Sequence, residues 1–226
     1  MRQKGRGDRR RRTLSGPRGM SLIETLLAVV LSGIIMIALL ALYIEGEKYF
    51  FNQSSRSTTR EEIRSDMALI SRDIRDAANI ADGPVTAFDG QEYSTDADCL
   101  VLELPSIDAA GQIIAGSMDL VIYSYDPGQN RLVKIVSPQA GVRQNQRSIR
   151  ATSLIGPSPG RAPFILRYFN WDGLTEVTSA YADPDNGAFI VEVELTAQGR
   201  SIQRRGLPFV ETFRTQAKMR NKVVPS

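Results

Sequence analysis

The sequence predicts an α+β protein in which one long N-terminal helix packs on an antiparallel β-sheet. Two changes of pattern along its 226 residues predict this class. A long apolar run is followed by a segment with helical periodicity, and beyond Pro84 the apolar residues recur at every second position. A helix followed by successive strands is typical of α+β domains. We therefore expect a basic segment 1–19, a helix 20–78 and an α+β domain 79–226.

The basic segment 1–19 separates most of the positive charge from the rest of the chain. It holds eight Lys or Arg residues and one Asp, a net charge of +7; since the whole chain carries +3, the remainder carries −4. Such a segment could bind nucleic acid. Because it adjoins the apolar run, we interpret it as a topology signal that keeps the N-terminus in the cytoplasm. We do not expect nucleic acid to be a partner.

The apolar run "TLLAVVLSGIIMIALLALYI" consists of the twenty uncharged residues between Glu24 and Glu45. As a helix it would be about 30 Å long, the hydrocarbon thickness of a bilayer. No site with the small-residue pattern of signal cleavage follows it. We therefore predict a membrane span over about residues 22–44, with the rest of the chain on the far side.

The second half of the predicted helix is amphipathic. Ile63, Met67, Ile70, Ile74 and Ala77 recur at spacings of four and three, which places them on one helix face. The Ser/Thr-rich stretch "NQSSRSTT" leaves two helices open as an alternative, but we favour one helix that ends near residue 78. The charged residues expected on the other, exposed faces are Glu61, Glu62, Arg64, Asp66, Arg72, Asp73, Arg75 and Asp76.

Alternating apolar residues predict the strands of the C-terminal domain. Residues 99–104 place Leu100, Leu102 and Leu104 on one face, and residues 119–136 read as a hairpin around Asp-Pro-Gly. Further strands are predicted at 164–171, 188–196 and 208–219, with loops at 81–98, 137–163 and 172–187. In the strand at 188–196 the predicted inward residues are Phe189, Val191, Val193 and Leu195, and the outward ones are Ile190, Glu192, Glu194 and Thr196.

The composition argues against catalysis. The chain has no histidine, the commonest general base and metal ligand, and no glycine-rich phosphate loop or nucleophile elbow. Its single cysteine, Cys99, begins an apolar strand and is interpreted as a packed free thiol. In the loop "DPDNG", the oxygens of Asp183, Asp185 and Asn186 could bind calcium, but the spacing is not that of an EF-hand and turn chemistry explains it. We expect no catalytic residues and no cofactor.

The junction between the basic segment and the apolar run resembles the N-terminal signature of type IV pilins and type II secretion pseudopilins. That signature is a basic leader ending in glycine, then a hydrophobic residue, a Ser or Thr, two aliphatic residues and a glutamate fifth in the mature chain. The C-terminal "TQAKMRN" is also similar to the closing strand of minor pseudopilins. The matching N-terminal residues are Gly19, Met20, Ser21, Leu22, Ile23 and Glu24.

This resemblance implies a pilin-like fold and specific processing. A prepilin peptidase would remove the leader 1–19 by cutting between Gly19 and Met20, and would N-methylate Met20. Glycine suits the cleavage site because a residue without Cβ lets the backbone approach the catalytic groups. In an assembled filament Glu24 would pair with the α-ammonium of an adjacent subunit's first residue. Gly33 would give the span local flexibility.

The size and the predicted hairpins are similar to those of minor subunits, either the J-type minor pseudopilin or the W-type minor pilin. The resemblance implies a non-catalytic subunit that initiates and caps a type II secretion pseudopilus or a type IV pilus. It would lie in the bacterial inner membrane with its domain in the periplasm, and at the filament tip after assembly. The implied partners are prepilin peptidase, other minor and major pilins or pseudopilins, and the inner-membrane assembly platform.

Two alternatives remain open. The chain could be a minor pilin of a DNA-uptake filament, or a single-pass anchored periplasmic binding domain or enzyme. For DNA uptake, the C-terminal basic residues would have to form a patch, whereas a solvated strand face is the simpler interpretation. These residues are Arg200, Arg204, Arg205, Arg214, Lys218, Arg220 and Lys222.

Overall fold

The computed structural model describes residues 21–81, 83–156, 162–170, 172–177, 190–199 and 209–220. The chain divides into two compact units, Met1–Tyr49 and Phe50–Ser226. One helix, α1 (Leu22–Asp76), begins in the first and ends in the second. The predicted single helix is confirmed, although it ends two residues earlier than residue 78. In the Ser/Thr-rich stretch the hydroxyls of Thr58 and Thr59 donate to the carbonyls one turn back, at 3.1 and 3.0 Å, and the stretch is helical throughout.

The described part of the second unit contains eleven strands in three antiparallel sheets. The sheet orders are β1-β4-β5-β6-β7, β11-β10-β8-β9 and β2-β3. The strands are β1 (Asn79–Ile80), β2 (Val85–Thr86), β3 (Glu92–Tyr93), β4 (Cys99–Ile107), β5 (Ile113–Asp126), β6 (Arg131–Ser137), β7 (Gln146–Ile149), β8 (Phe164–Phe169), β9 (Glu176–Val177), β10 (Ile190–Gly199) and β11 (Phe209–Lys218).

The α+β layout with an antiparallel β-sheet domain is confirmed, and its strands form three separate sheets in the described residues. The hairpin β5–β6 turns at residues 127–130, where the Asp-Pro-Gly signal predicted it. The segments 81–98, 137–163 and 172–187, predicted as loops, contain β2 with β3, β7 and β9 respectively. These strands are two to four residues long. Such short strands carry too few residues for an alternating pattern.

Two hydrophobic cores lie on opposite faces of the five-stranded sheet. The main core joins the predicted apolar stripe of α1 to the inner faces of β4 and β10, and Leu100 and Leu102 lie in it as predicted. The second core, which the pattern did not predict, contains Cys99 and Val101 from the other face of β4, together with residues of β5 and β6. β4 is therefore buried on both faces.

Several charged or polar residues predicted to face solvent are buried instead. Glu192 and Thr196 of β10 are each only 6% exposed. The cause is the neighbouring strands: Arg167 of β8 donates to Glu192 at 3.0 Å, and Thr212 of β11 lies 3.3 Å from the Thr196 hydroxyl. Cross-strand neighbours of this kind cover a sheet face that the alternation alone assigns to solvent.

Two acidic residues of α1 depart from prediction in the same way. Asp66 and Asp73 are 7% and 4% exposed, because they flank the apolar stripe rather than opposing it. Burial raises the pKa of Asp66, and a backbone hydrogen bond from Ala151 partly offsets this effect. The packed face of α1 is therefore wider than its apolar residues alone indicate.

Polar contacts hold the segment after β6 against β4 and β5, and a glycine lets its backbone approach β4 closely. Arg143 Nη1 donates to Pro105 O at 2.7 Å and to Asp119 Oδ2 at 2.5 Å. Burial alone would raise the pKa of Asp119, but hydrogen bonds from Ser106, Arg143 and the Gln139 backbone hold that pKa below its ordinary value. At Gly141 the backbone φ is +85°, and an added Cβ would lie 2.0 Å from the Ile107 carbonyl oxygen.

Replacing Gly141 with alanine should therefore destabilise the domain by about 2 kcal/mol or more, because strain at positive φ adds to a backbone clash. The matched control is Gly111→Ala, where φ is +79° and an added Cβ meets nothing within 4 Å. Its expected loss is about 1 kcal/mol, from strain alone. Urea unfolding of the full chain in detergent micelles, followed by near-UV circular dichroism, measures both. Equal losses would contradict the steric argument.

Candidate functional site

Between Glu24 and Glu45, within the first unit, α1 is apolar on every side. By length and composition this part of α1 could cross a membrane, and none of its most apolar window is buried. Leu22, Met36 and Leu42 are 84%, 74% and 69% exposed. A soluble surface helix has an apolar stripe, whereas a helix that is apolar all round must be covered by lipid or by other helices. This surface is therefore the first candidate for function.

Glu24 stands at the N-terminus of this apolar surface and caps its own helix. Its Oε2 atom accepts a hydrogen bond from the Ser21 backbone N–H at 2.9 Å. Ser-x-x-Glu is the pattern of a capping box, in which the third helical residue reaches back to the residue before the helix. A carboxylate here also interacts favourably with the helix dipole. Within the described residues Glu24 Oε1 accepts no hydrogen bond, so one oxygen remains for a second donor.

We did not predict this capping role from the sequence, although "SLIE" contains the capping-box pattern. Thr25 contributes to the same turn by donating its hydroxyl proton to the Leu22 carbonyl at 2.8 Å. The predicted processing residues Gly19 and Met20 lie outside the described residues. Gly33 is helical, and an added Cβ there would meet nothing within 4 Å. No contact with the described residues requires glycine at that position, and its role in flexibility stays a prediction.

Aromatic and charged residues follow the apolar surface at its C-terminal end. The Tyr43 hydroxyl donates to Glu47 at 2.9 Å, and Lys48 pairs with Glu45 at 3.0 Å. Both tyrosine and charged side chains are typical of the ends of membrane-spanning helices. These charged residues follow directly on the span that the sequence predicts over about residues 22–44.

The described residues include no group of three or more His, Cys, Asp or Glu side chains that could hold a metal ion. The calcium candidates Asp183, Asp185 and Asn186 lie outside the described residues. Cys99 is free and buried, as predicted. Burial, and secondarily the charge of Asp96, raises the pKa of its thiol to about 12. A thiol with this pKa stays protonated at neutral pH and is a poor nucleophile.

A buried polar cluster connects α1 to the five-stranded sheet. The Tyr123 hydroxyl donates to Asp73 Oδ2 at 2.6 Å, and the Lys134 ammonium donates to the same oxygen. Burial, then the charge of Asp73, raises the pKa of Tyr123 far above its ordinary value, so the hydroxyl keeps its proton. Tyr123 is fully buried and Lys134 is 8% exposed. Because all three side chains are buried and bonded to each other, the cluster holds the helix to the sheet.

Of the described C-terminal basic residues, Arg214 is paired with acidic side chains of β10. Arg214 donates to Glu194 Oε2 at 2.7 Å and lies 3.7 Å from Glu192. Lys218 and Arg220 are exposed at the end of β11. The other members of the predicted patch, Arg200, Arg204, Arg205 and Lys222, lie outside the described residues.

The sequence pattern also gave no sign of a groove between α1 and β11, here called the α1–β11 groove. It has a volume of about 430 Å³ and belongs entirely to the second unit. Its lining residues are Arg64, Met67, Ala68, Ser71 and Arg75 of α1 and Phe213, Arg214 and Thr215 of β11.

Comparisons with known proteins add no identity to this geometry. No family model matches the chain, and no curated protein sequence matches it significantly.

Proposed function

We propose that this chain is a minor pilin or pseudopilin, a non-catalytic subunit that initiates and caps a type II secretion pseudopilus or a type IV pilus. The observation that carries the proposal is Glu24, a carboxylate in the first turn of α1, at the start of an apolar segment whose large side chains are exposed. The sequence before it, a basic segment ending in Gly19, resembles a prepilin leader. The β domain that follows, with its two closed cores, is consistent with a structural subunit.

The apolar surface of α1 supports the assembly role. In the membrane the lipid would cover it, and in a filament the helices of neighbouring subunits would. A carboxylate at hydrocarbon depth costs several kcal/mol, about 2.5–3.5 near the centre of a span. That cost favours a partner for Glu24, and the α-ammonium of a neighbouring subunit's Met20, created by cleavage after Gly19, has the required charge. Glu24 Oε2 serves the chain's own Ser21, which leaves Oε1 for this ammonium.

The proposed location follows from charge and hydropathy. The leader of net charge +7 stays in the cytoplasm, the span crosses the inner membrane and the β domain lies in the periplasm. The proposed partners are prepilin peptidase, the other minor and major subunits and the inner-membrane assembly platform. A DNA-uptake filament would use the same helix, and salt-dependent DNA binding by the chain would favour that filament over a secretion pseudopilus.

Cleavage after Gly19 is the experiment that tests the proposal. The full chain is expressed with and without a prepilin peptidase, and the mass and N-terminal sequence of the membrane form are determined. We expect a chain that starts at Met20 only when the peptidase is present, about 14 Da heavier if it is N-methylated.

A pair of glycine variants controls the cleavage experiment. Gly19→Val should block processing because a branched Cβ obstructs the close approach of the scissile backbone. Gly16→Val makes the same change three residues earlier and should leave cleavage intact. A chain that keeps residues 1–19 beside a peptidase that processes a known substrate would overturn the proposal and favour an anchored periplasmic binding domain.

A further inference from the structure

We propose that the α1–β11 groove binds an acidic, extended peptide segment of a partner protein. The inference concerns the second unit alone and does not depend on the pilin assignment. It is carried by three features of the groove: its shape, its unpaired charge and its free strand edge.

The shape comes from two small residues in a row of long ones. Along α1, Arg56 lies over the Phe209 ring at 5.0 Å and Arg60 pairs with Glu211 at 2.8 Å, so long side chains bridge helix and strand. Further along α1, spacings of four, three and four residues place four side chains on one helix face. They are Arg64, Ala68, Ser71 and Arg75. The small side chains Ala68 and Ser71 leave the space between helix and strand open.

The floor of the groove combines apolar and polar contacts. Met67 and Ser71 of α1 are buried, and Phe213 of β11 packs partly against the main core. The hydroxyls of Ser71 and Thr215 lie 3.2 Å apart and join the two walls. An apolar floor with a few polar groups is typical of a site that binds side chains rather than bare ions.

The charge at the two ends of the groove is positive and unpaired. Arg64 and Arg75 are exposed, and neither makes an ion pair within the described part of the chain. The third arginine, Arg214, is occupied by Glu194. None of the eight lining residues is acidic. A ligand with a carboxylate at each end would therefore be complementary to the groove.

The wall formed by β11 is the edge of its sheet. Within the described residues β11 pairs only with β10, and its other edge makes no backbone hydrogen bond along 209–218. A free strand edge is a common acceptor of an extended peptide, which gains main-chain hydrogen bonds there. The arginines favour acidic side chains, and the free edge of β11 adds a preference for a peptide in an extended conformation.

The spacing of the arginines selects a peptide over a single phosphate. Arg64 and Arg75 are eleven residues apart, about 16 Å at the helical rise. One phosphate cannot reach both ends, whereas an extended chain covers that distance in about five residues. Acidic residues four apart on such a chain point to the same side, with an apolar residue between them over Met67 and Phe213.

The probe is the capped peptide Glu-Thr-Leu-Thr-Glu with an uncharged fluorophore, and binding to the full chain in micelles is followed by fluorescence anisotropy. We expect saturable binding that weakens with added salt. Arg64→Gln and Arg75→Gln should each weaken it about tenfold, the value of one charged hydrogen bond. Ala68→Tyr, which fills the groove and keeps every charge, should abolish it.

The matched control is Arg72→Gln, the same change on the same helix at an exposed residue that does not line the groove. It should leave binding within about twofold of the unmodified chain. Equal binding of a Gln-Thr-Leu-Thr-Gln peptide, or no effect of Arg64→Gln and Arg75→Gln, would overturn the inference. Preference for pyrophosphate or for anionic lipid vesicles, lost in the same variants, would assign the groove to phosphate and overturn it equally.

Discussion

Under the assembly role proposed above, Glu24→Gln is expected to lower incorporation of the chain into filaments about 100-fold while leaving the β domain folded. Removing one member of a buried ion pair leaves the other charge without a partner, which lowers the association constant by at least two orders of magnitude. The unpaired group would be the neighbouring subunit's α-ammonium. Incorporation is measured by immunoblotting sheared filaments from the native host, with total membrane-bound chain as the reference.

Glutamine separates the two roles of this residue. A glutamine side chain can still accept the Ser21 N–H in a capping box, so Glu24→Gln removes the charge and keeps the cap. Glu24→Ala removes both. If assembly depends on the charge, the two variants should fail equally; if the cap alone matters, Glu24→Gln should assemble normally and contradict the ion-pair proposal. Glu45→Gln, at the other end of the apolar run, is the matched control and should assemble.

Lys134→Met is expected to reduce the free energy of unfolding of the second unit by about 3–5 kcal/mol, because it removes the buried cation from Asp73 and leaves only the exposed Arg72 guanidinium, 3.8 Å from the other carboxylate oxygen. Tyr123→Phe removes a hydrogen bond to the same oxygen and should cost less, about 1–3 kcal/mol. Urea unfolding followed by near-UV circular dichroism measures both in the full chain.

A surface pair and a double replacement test the explanation. Lys48→Met makes the same change in the exposed pair with Glu45 and should alter stability by less than about 1 kcal/mol. In a Tyr123→Phe background, the double variant Asp73→Leu with Lys134→Met should recover most of the Lys134→Met loss, because it leaves neither a buried charge nor the Tyr123 hydroxyl without a partner. A Lys134→Met loss no larger than that of Lys48→Met would show that the cluster does not hold the helix to the sheet.

The sequence predicted those elements whose apolar residues repeat over enough positions. The stripe from Ile63 to Ala77 repeats over about four turns, and its residues Ile63, Ile70 and Ile74 are fully buried. The strands β4, β10 and β11 are nine or ten residues long, and their existence was predicted correctly. Periodicity reports which face is apolar, and that is the information these elements carry.

Periodicity does not show which polar residues form hydrogen bonds or ion pairs with distant parts of the chain. Asp73 was assigned to an exposed helix face because its partners, Tyr123 and Lys134, lie 50 and 61 residues away. Glu192 was assigned to solvent for the same reason, since Arg167 covers it from another strand. The α1–β11 groove is formed by two elements that are far apart in the sequence. At Glu24, by contrast, the cap was local and readable from "SLIE".

The double burial of β4 has a consequence for the exchange of backbone hydrogens with solvent. Its residues Leu100 and Val101 are fully buried, one in each core. No local opening can expose their amides without separating a core, so in D2O they should exchange only through global unfolding. The edge strand β7, exposed at three of its four residues, can open alone and should exchange much faster. The slowest deuterium uptake in the second unit is therefore expected at β4, and its rate measures the free energy of unfolding of that unit.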